Sequence, residues 1–202
     1  MTLTAISIPP ASGTPTHLLI ILHGWGADAS DFAPVASVLN LSNYQYLFPN
    51  APFPHPQVPG GKAWYALDTG NYEGIRESRQ MLLEWLLSLE GETGIPLERT
   101  ILAGFSQGGA MTLDVGLYLP LAGLCSLSGY LHAKPQANSS TLPPILIVHG
   151  RQDTVVPLKA AQQARDELIA LGATVEYHEF DMGHEAPLPV LNVVEQFIEA
   201  RH

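Results

Sequence analysis

Basic residues are scarce in this chain. Lysine and arginine number 9 among 202 residues against 19 aspartates and glutamates, a net charge of −10, and none precedes Lys62. Nucleic acid and anionic membrane surfaces are both held by clustered Lys and Arg, so neither is expected as a partner. The N-terminus lacks a basic n-region and its longest early apolar run is too short to cross a bilayer. No export signal or stable membrane insertion is therefore expected, and the chain reads as cytoplasmic. Cysteine is reduced to Cys125, which excludes an internal disulfide; flanked by Leu124, Ser126 and Leu127, it reads as a buried strand residue rather than a catalytic thiol. His23, His55, His132 and His149 show neither an i, i+4 pair nor a cysteine partner, so no metal site is expected. Gly24 and Gly26 have no third glycine at dinucleotide spacing and no Gly-Lys-Ser/Thr ending follows, which argues against a nucleotide cradle.

Apolar material is plentiful: 46% of residues are hydrophobic and only 14% charged. A chain of this length buries roughly 70 to 75% of its unfolded surface in one core, enough for a single domain over residues 1–202. A monomer or homodimer is expected. Short apolar runs alternate with amphipathic stretches. Strands are predicted at 2–8, 17–22, 45–48, 100–105, 121–127, 144–148 and 174–180, and helices at 31–39, 72–89, 108–119, 158–171 and 188–200. Pro157 opens one helix and Gly172 closes it. This alternation predicts an α/β fold with a mostly parallel sheet covered on both faces.

One pentapeptide carries chemistry. Gly104-Phe105-Ser106-Gln107-Gly108 lies between the apolar run 100–103 and a helical segment, the setting of a nucleophile elbow. There the serine sits on a sharp strand-to-helix turn at a strained backbone angle, and the glycines remove side chains that would clash across it. In α/β hydrolases an acid and then a histidine follow the serine, each on a loop after a later strand. Asp153 follows the run 144–148 and His149-Gly150, and His184 follows the strand 174–180 in the short loop Asp181-Met182-Gly183-His184. Ser106 is a weak nucleophile at its own pKa. His184 is the expected base, and Asp153 the carboxylate that fixes its tautomer and stabilises the imidazolium. Asp181 lies too near His184 in sequence to face the imidazole from the required side.

A developing oxyanion needs backbone donors. One is expected from Gln107, the residue after the nucleophile, and the second from Trp25 in the loop after strand 17–22, where Gly24 and Gly26 let the backbone approach a ligand. Residues 50–70, rich in proline and glycine, follow neither helical nor strand period; a loop that long in a compact domain is functional or disordered. Phe53, Trp64, Tyr65 and Leu67 argue against disorder. Phe53, Trp64 and Tyr65 are expected to offer an apolar wall to substrate, with Val156 and Met182, beside the acid and the base, completing the candidate contact set.

Taken together, Leu22-His23-Gly24-Trp25-Gly26, Ala63-Trp64-Tyr65, the run from Gly104 to Ala110, His149-Gly150 through Asp153 to Val156-Pro157, and Gly183-His184 resemble the carboxylesterase and acyl-protein thioesterase family of small α/β hydrolases. The resemblance spans nearly the whole chain. It implies Ser106, Asp153 and His184 as triad, Trp25 and Gln107 as oxyanion donors, no cofactor, and a small-molecule ester or lipid-like substrate drawn from short-chain carboxylesters, lysophospholipids and acyl thioesters. The chain departs from the family pattern at Ala66, where an acidic residue often follows the aromatic pair.

Overall fold

The computed structural model describes residues 3–136 and 141–201. A seven-stranded sheet runs through the protein. Its strands are β1 (Ala5–Ile8), β2 (His17–Leu22), β3 (Tyr44–Pro49), β6 (Thr100–Phe105), β7 (Gly123–Leu127), β8 (Ile145–Gly150) and β9 (Val175–Phe180). The order across the sheet is β1-β3-β2-β6-β7-β8-β9. Only β1 is antiparallel to its neighbour; the other pairings are parallel. Strands buried on both faces read as unbroken apolar runs. Thus Leu18, Ile20 and Leu22 enter one core while Leu19 and Ile21 enter the other. The expected strand 2–8 is observed over Ala5–Ile8, and Thr2 lies outside the described residues.

Helices α2 (Ile75–Thr93), α3 (Gln107–Gly116) and α4 (Leu158–Ala170) pack on the first face. The second is covered by α1 (Ala29–Phe32), by a 3₁₀ segment at Ala33–Ser37 and by α5 (Leu188–Glu199). A single helix over 31–39 was expected, but the α-helical turn stops at Phe32 because Pro34 has no N–H to continue the ladder. Between β3 and α2, the irregular segment closes on itself as a short ribbon of β4 (Phe53–Pro54) and β5 (Lys62–Ala63).

This topology locates a site. From β2 the chain moves outward to β3 and β1's side, whereas from β6 it moves the other way, so the strand order reverses between β2 and β6. Ligands in open α/β sheets bind outside the carboxyl ends of the strands at such a reversal. Register pairs Leu22 with Gly104 there, which sets the loop carrying Trp25 beside Ser106.

Candidate active site

Ser106 has φ +54° and ψ −117°, a conformation that costs a non-glycine residue about 1 to 3 kcal/mol and persists only where its surroundings enforce it. The enforcement is close packing of α3 on the sheet. A Cβ on Gly104 would stand 2.2 Å from the Gly108 carbonyl oxygen, and one on Gly108 would stand 2.3 Å from that of Leu22. Only glycine at both positions lets the turn form this tightly. Gln107 is then the first residue of α3, where backbone N–H groups have no partner within the helix and the helix dipole favours negative charge. Gly24 backs onto the same turn: a Cβ there would lie 3.4 Å from Ser106 Cβ, which places Trp25 at its edge.

Acid and histidine meet because their loops are sewn together. Arg151 N–H donates to the Phe180 carbonyl at 2.8 Å and Gln152 N–H to that of Met182 at 3.0 Å, while Gly150 leaves room for the carbonyl of Gly183, 2.4 Å from where a Cβ would sit. Asp153 Oδ2 consequently lies 2.7 Å from His184 Nδ1. Its other oxygen accepts from Val155 N–H at 2.9 Å and Val156 N–H at 2.8 Å. Burial works to raise the Asp153 pKa, but these hydrogen bonds and the imidazole outweigh it, and the net shift is downward. The His184 ring lies 4.8 Å from that of Phe105, the residue before Ser106. Asp181 is instead exposed and paired with Arg151 at 2.8 Å.

The long loop between β3 and α2 is held by Gln107's side chain. Its Oε1 accepts from Trp64 N–H at 2.8 Å and its Nε2 donates to the Tyr65 carbonyl at 2.8 Å, as a neighbouring strand would. Trp64 and Tyr65 are both fully buried, which corrects the expectation that they wall the substrate site. The Trp64 indole N–H donates to the His23 carbonyl at 3.0 Å, and the Tyr65 hydroxyl shares a 2.5 Å hydrogen bond with that of Tyr130. Phe53 packs its ring on Gly74, and the Met182 side chain is buried in the core beneath α5; neither lines the cleft at Ser106. At the departing position, Ala66 N–H donates to the Glu73 carbonyl at 2.9 Å.

A cleft of about 490 Å³ opens over Ser106, lined by Leu67, Tyr72, Tyr130, Leu131 and, of the five candidate contact residues, Val156 alone. Its aromatic wall is thus Tyr72 and Tyr130. Behind them the buried His132 ring is caged edge-on by Tyr65, Tyr72 and Tyr130 at 4.8, 5.1 and 5.4 Å, with its Nδ1 3.2 Å from Asp114, which also pairs with Arg79. Burial pushes the Tyr130 hydroxyl up to about 12 and that of Tyr65 further still. These residues come from three separate stretches of the chain, 65–79, 114 and 130–132, and no local pattern marks them.

His23 is a structural histidine. Its Nε2 accepts from Ala51 N–H at 3.0 Å, so the proton resides on Nδ1, which donates to the Gly24 carbonyl at 2.8 Å. Burial lowers its pKa, in keeping with a neutral ring that fixes the start of the Trp25 loop.

Comparison with known proteins matches this geometry to a family. Acyl-protein thioesterase 1 of Neurospora crassa is 32% identical, with 95% of this chain and 89% of that protein aligned. The same-named protein of Gibberella zeae is 30% identical over 94% and 92%. Among solved structures, esterase PE8 superposes with a TM-score of 0.93 at 29% identity, covering 100% of both chains. A Bacillus cereus carboxylesterase, 16% identical over 99% of this chain and 95% of its own, has a TM-score of 0.85 and shares the fold. The profile of the phospholipase/carboxylesterase family matches residues 4–202, and the chain belongs to that family of α/β hydrolases.

Proposed function

We propose that this hydrolase cleaves carboxylic esters with an apolar acyl group through an acyl-enzyme formed on Ser106, with His184 and Asp153 completing the triad. The observation that carries the reading is the 2.7 Å contact of His184 Nδ1 with Asp153. It commits Nδ1–H to the carboxylate and leaves Nε2 unprotonated, able to accept the serine proton. Ser106 Oγ attacks the ester carbonyl as its proton passes to His184 Nε2. The oxyanion is received by the N–H groups of Trp25 and Gln107, the second reinforced by the α3 dipole. Collapse of the tetrahedral intermediate breaks the bond to the leaving oxygen, which takes the proton from His184. Water then attacks the acyl-enzyme by the same route, releasing the acid and restoring Ser106.

The acyl group occupies the cleft over Ser106, against Tyr72, Tyr130 and Val156 in its wall. The relatives named acyl-protein thioesterase 1 favour a second reading, in which the scissile bond is an acyl thioester; the triad would serve it unchanged. Among the described residues no helix is long and apolar enough to cross a membrane. The lone buried Cys125 supports a cytoplasmic protein, working as a single domain, monomeric or homodimeric. The net charge of −10 disfavours a nucleic-acid partner.

The test is labelling by a serine-directed phosphonate beside a panel of p-nitrophenyl esters from acetate to palmitate and one acyl thioester. Stoichiometric labelling that Ser106→Ala abolishes is expected, with ester hydrolysis lost in the same variant. Labelling that persists in Ser106→Ala would reject the assignment.

A further inference from the structure

Two apolar hollows flank the reacting pair, and each touches a different member of it. The cleft described above counts Ser106 among its lining residues but not His184. A second hollow of about 320 Å³ counts His184 and not Ser106. It lies on the other face of the sheet, between the carboxyl ends of β2, β6 and β7, the 3₁₀ segment and α5, with Ile21, Phe32, Val35, Phe105 and Leu191 in its wall. Its size is at the lower end of ligand pockets, which run from roughly 300 to 1,000 Å³. The cause is local: Pro34 cuts α1 to one turn, and the 3₁₀ segment that follows has no fully buried residue, so the space a longer helix would fill stays open.

We propose that this second hollow is the leaving-group subsite and takes an uncharged aliphatic or aromatic alcohol; the proposal rests on the hydrolase reading above. In the acyl-enzyme the acyl carbon is bonded to Ser106 Oγ, so the acyl chain belongs in the hollow that contains Ser106. The departing oxygen collects its proton from His184, so the carbon skeleton of the alcohol belongs in the hollow that contains His184. Phe105 stands between, with its ring 4.8 Å from the imidazole and 6.2 Å from Phe32. Apart from His184, the ionisable residues in the wall are the exposed Asp31 and Glu185. Two carboxylates repel an anionic leaving group and admit a neutral one.

Two ester series separate the hollows: acetates of methanol through 1-hexanol, and methyl esters from acetate through octanoate. In the wild type, each methylene taken out of water adds about fourfold to kcat/KM until its hollow is full. Val35→Trp and Leu191→Trp are expected to lower the hexyl-to-methyl acetate ratio at least tenfold while the octanoate-to-acetate ratio of the methyl esters stays within twofold. Should either fail to fold, Ala186→Leu intrudes less and is read the same way. An unchanged alcohol ratio, or an acyl ratio that falls as far, overturns the subsite and leaves the hydrolase standing. Failure of the wild type to cleave any ester would strike the hydrolase reading instead. In that case 1-hexanol is the probe: shifts of the Val35 and Leu191 methyl resonances on titration support the apolar site, and their absence overturns it.

Discussion

Trp64→Ala should unfold the protein more readily and slow it uniformly rather than change which ester it prefers. Trp64 is fully buried, its indole N–H donates to the His23 carbonyl and its backbone N–H to the Gln107 side chain. Truncating a core tryptophan costs about 3 to 5 kcal/mol through lost burial and the cavity left behind. For a domain of this size each kcal/mol lowers the melting temperature by about 2 to 4 °C, so a fall of about 6 to 20 °C is expected. Trp64→Phe keeps most of the volume but leaves the His23 carbonyl without its donor, a loss of about 1 to 3 kcal/mol.

The kinetic expectation follows from the same contacts. His23 precedes the loop of Trp25, and Gln107 carries the other proposed oxyanion donor, so Trp64 links the two halves of the oxyanion site. Loosening it should reduce kcat on acetyl and octanoyl esters by the same factor. Thermal melts of the wild type, Trp64→Phe and Trp64→Ala beside kcat/KM across the acyl series decide the matter. A Trp64→Ala protein that melts within about 2 °C of the wild type and loses only long-chain activity would refute the reasoning and make Trp64 a substrate contact.

Asp153→Asn should cut kcat by about 10³ to 10⁴ with the fold intact, because the wrong His184 tautomer cannot take the serine proton; Asp181→Asn, which disturbs only an exposed pair with Arg151, should leave kcat within a few fold, and the reverse pattern would assign the acid wrongly. Tyr72→Ala removes part of the cleft wall, so kcat/KM should fall by about ten- to a hundredfold for octanoyl esters and much less for acetyl esters; equal losses on both would deny the wall. His23 has a folded pKa below its ordinary 6.5 because of burial, so as pH falls through 6.5 the unfolded chain binds a proton that the folded one refuses, and stability drops. Urea melts at pH 7.5, 6.5 and 5.5 should show that drop shallower in His23→Asn, and identical slopes would exclude His23 as its source.

The strands and the proposed triad positions are legible from the ends of strands. Parallel strands covered on both faces must be apolar throughout, so Leu18–Leu22 and Ile145–Val148 announce themselves. Ser106 and Asp153 each stand just past the end of such a run and His184 just past the half-exposed edge strand β9, in the order one topology requires. Helix 31–39 was misread because hydrophobic spacing does not register the missing donor of Pro34. Trp64 and Tyr65 were turned the wrong way because residues 50–70 have no period from which an inward face could be told from an outward one. The ribbon of β4 and β5 is two residues per strand, too short for alternation to show. Tyr72 comes from the connection before α2 and Tyr130 and His132 from the one between β7 and β8, and they meet only through the order of strands.

Gln107 shows why a motif can be read correctly and still incompletely. Its place in Gly-Phe-Ser-Gln-Gly implicates its backbone N–H, and any residue with an N–H would satisfy that role. Its side chain is explained only by the loop it holds: an amide offers one acceptor and one donor side by side, the pairing that Trp64 N–H and the Tyr65 carbonyl require. Glutamate could accept but not donate, and leucine could do neither, so each would leave buried backbone groups unpaired at about 1 to 3 kcal/mol apiece. The loop that bears Leu67 and leads to Tyr72 is thereby fixed to the turn that bears Ser106. The cleft wall and the proposed nucleophile share one anchor, which would hold the acyl chain and the reacting oxygen of the proposed reaction in a common frame.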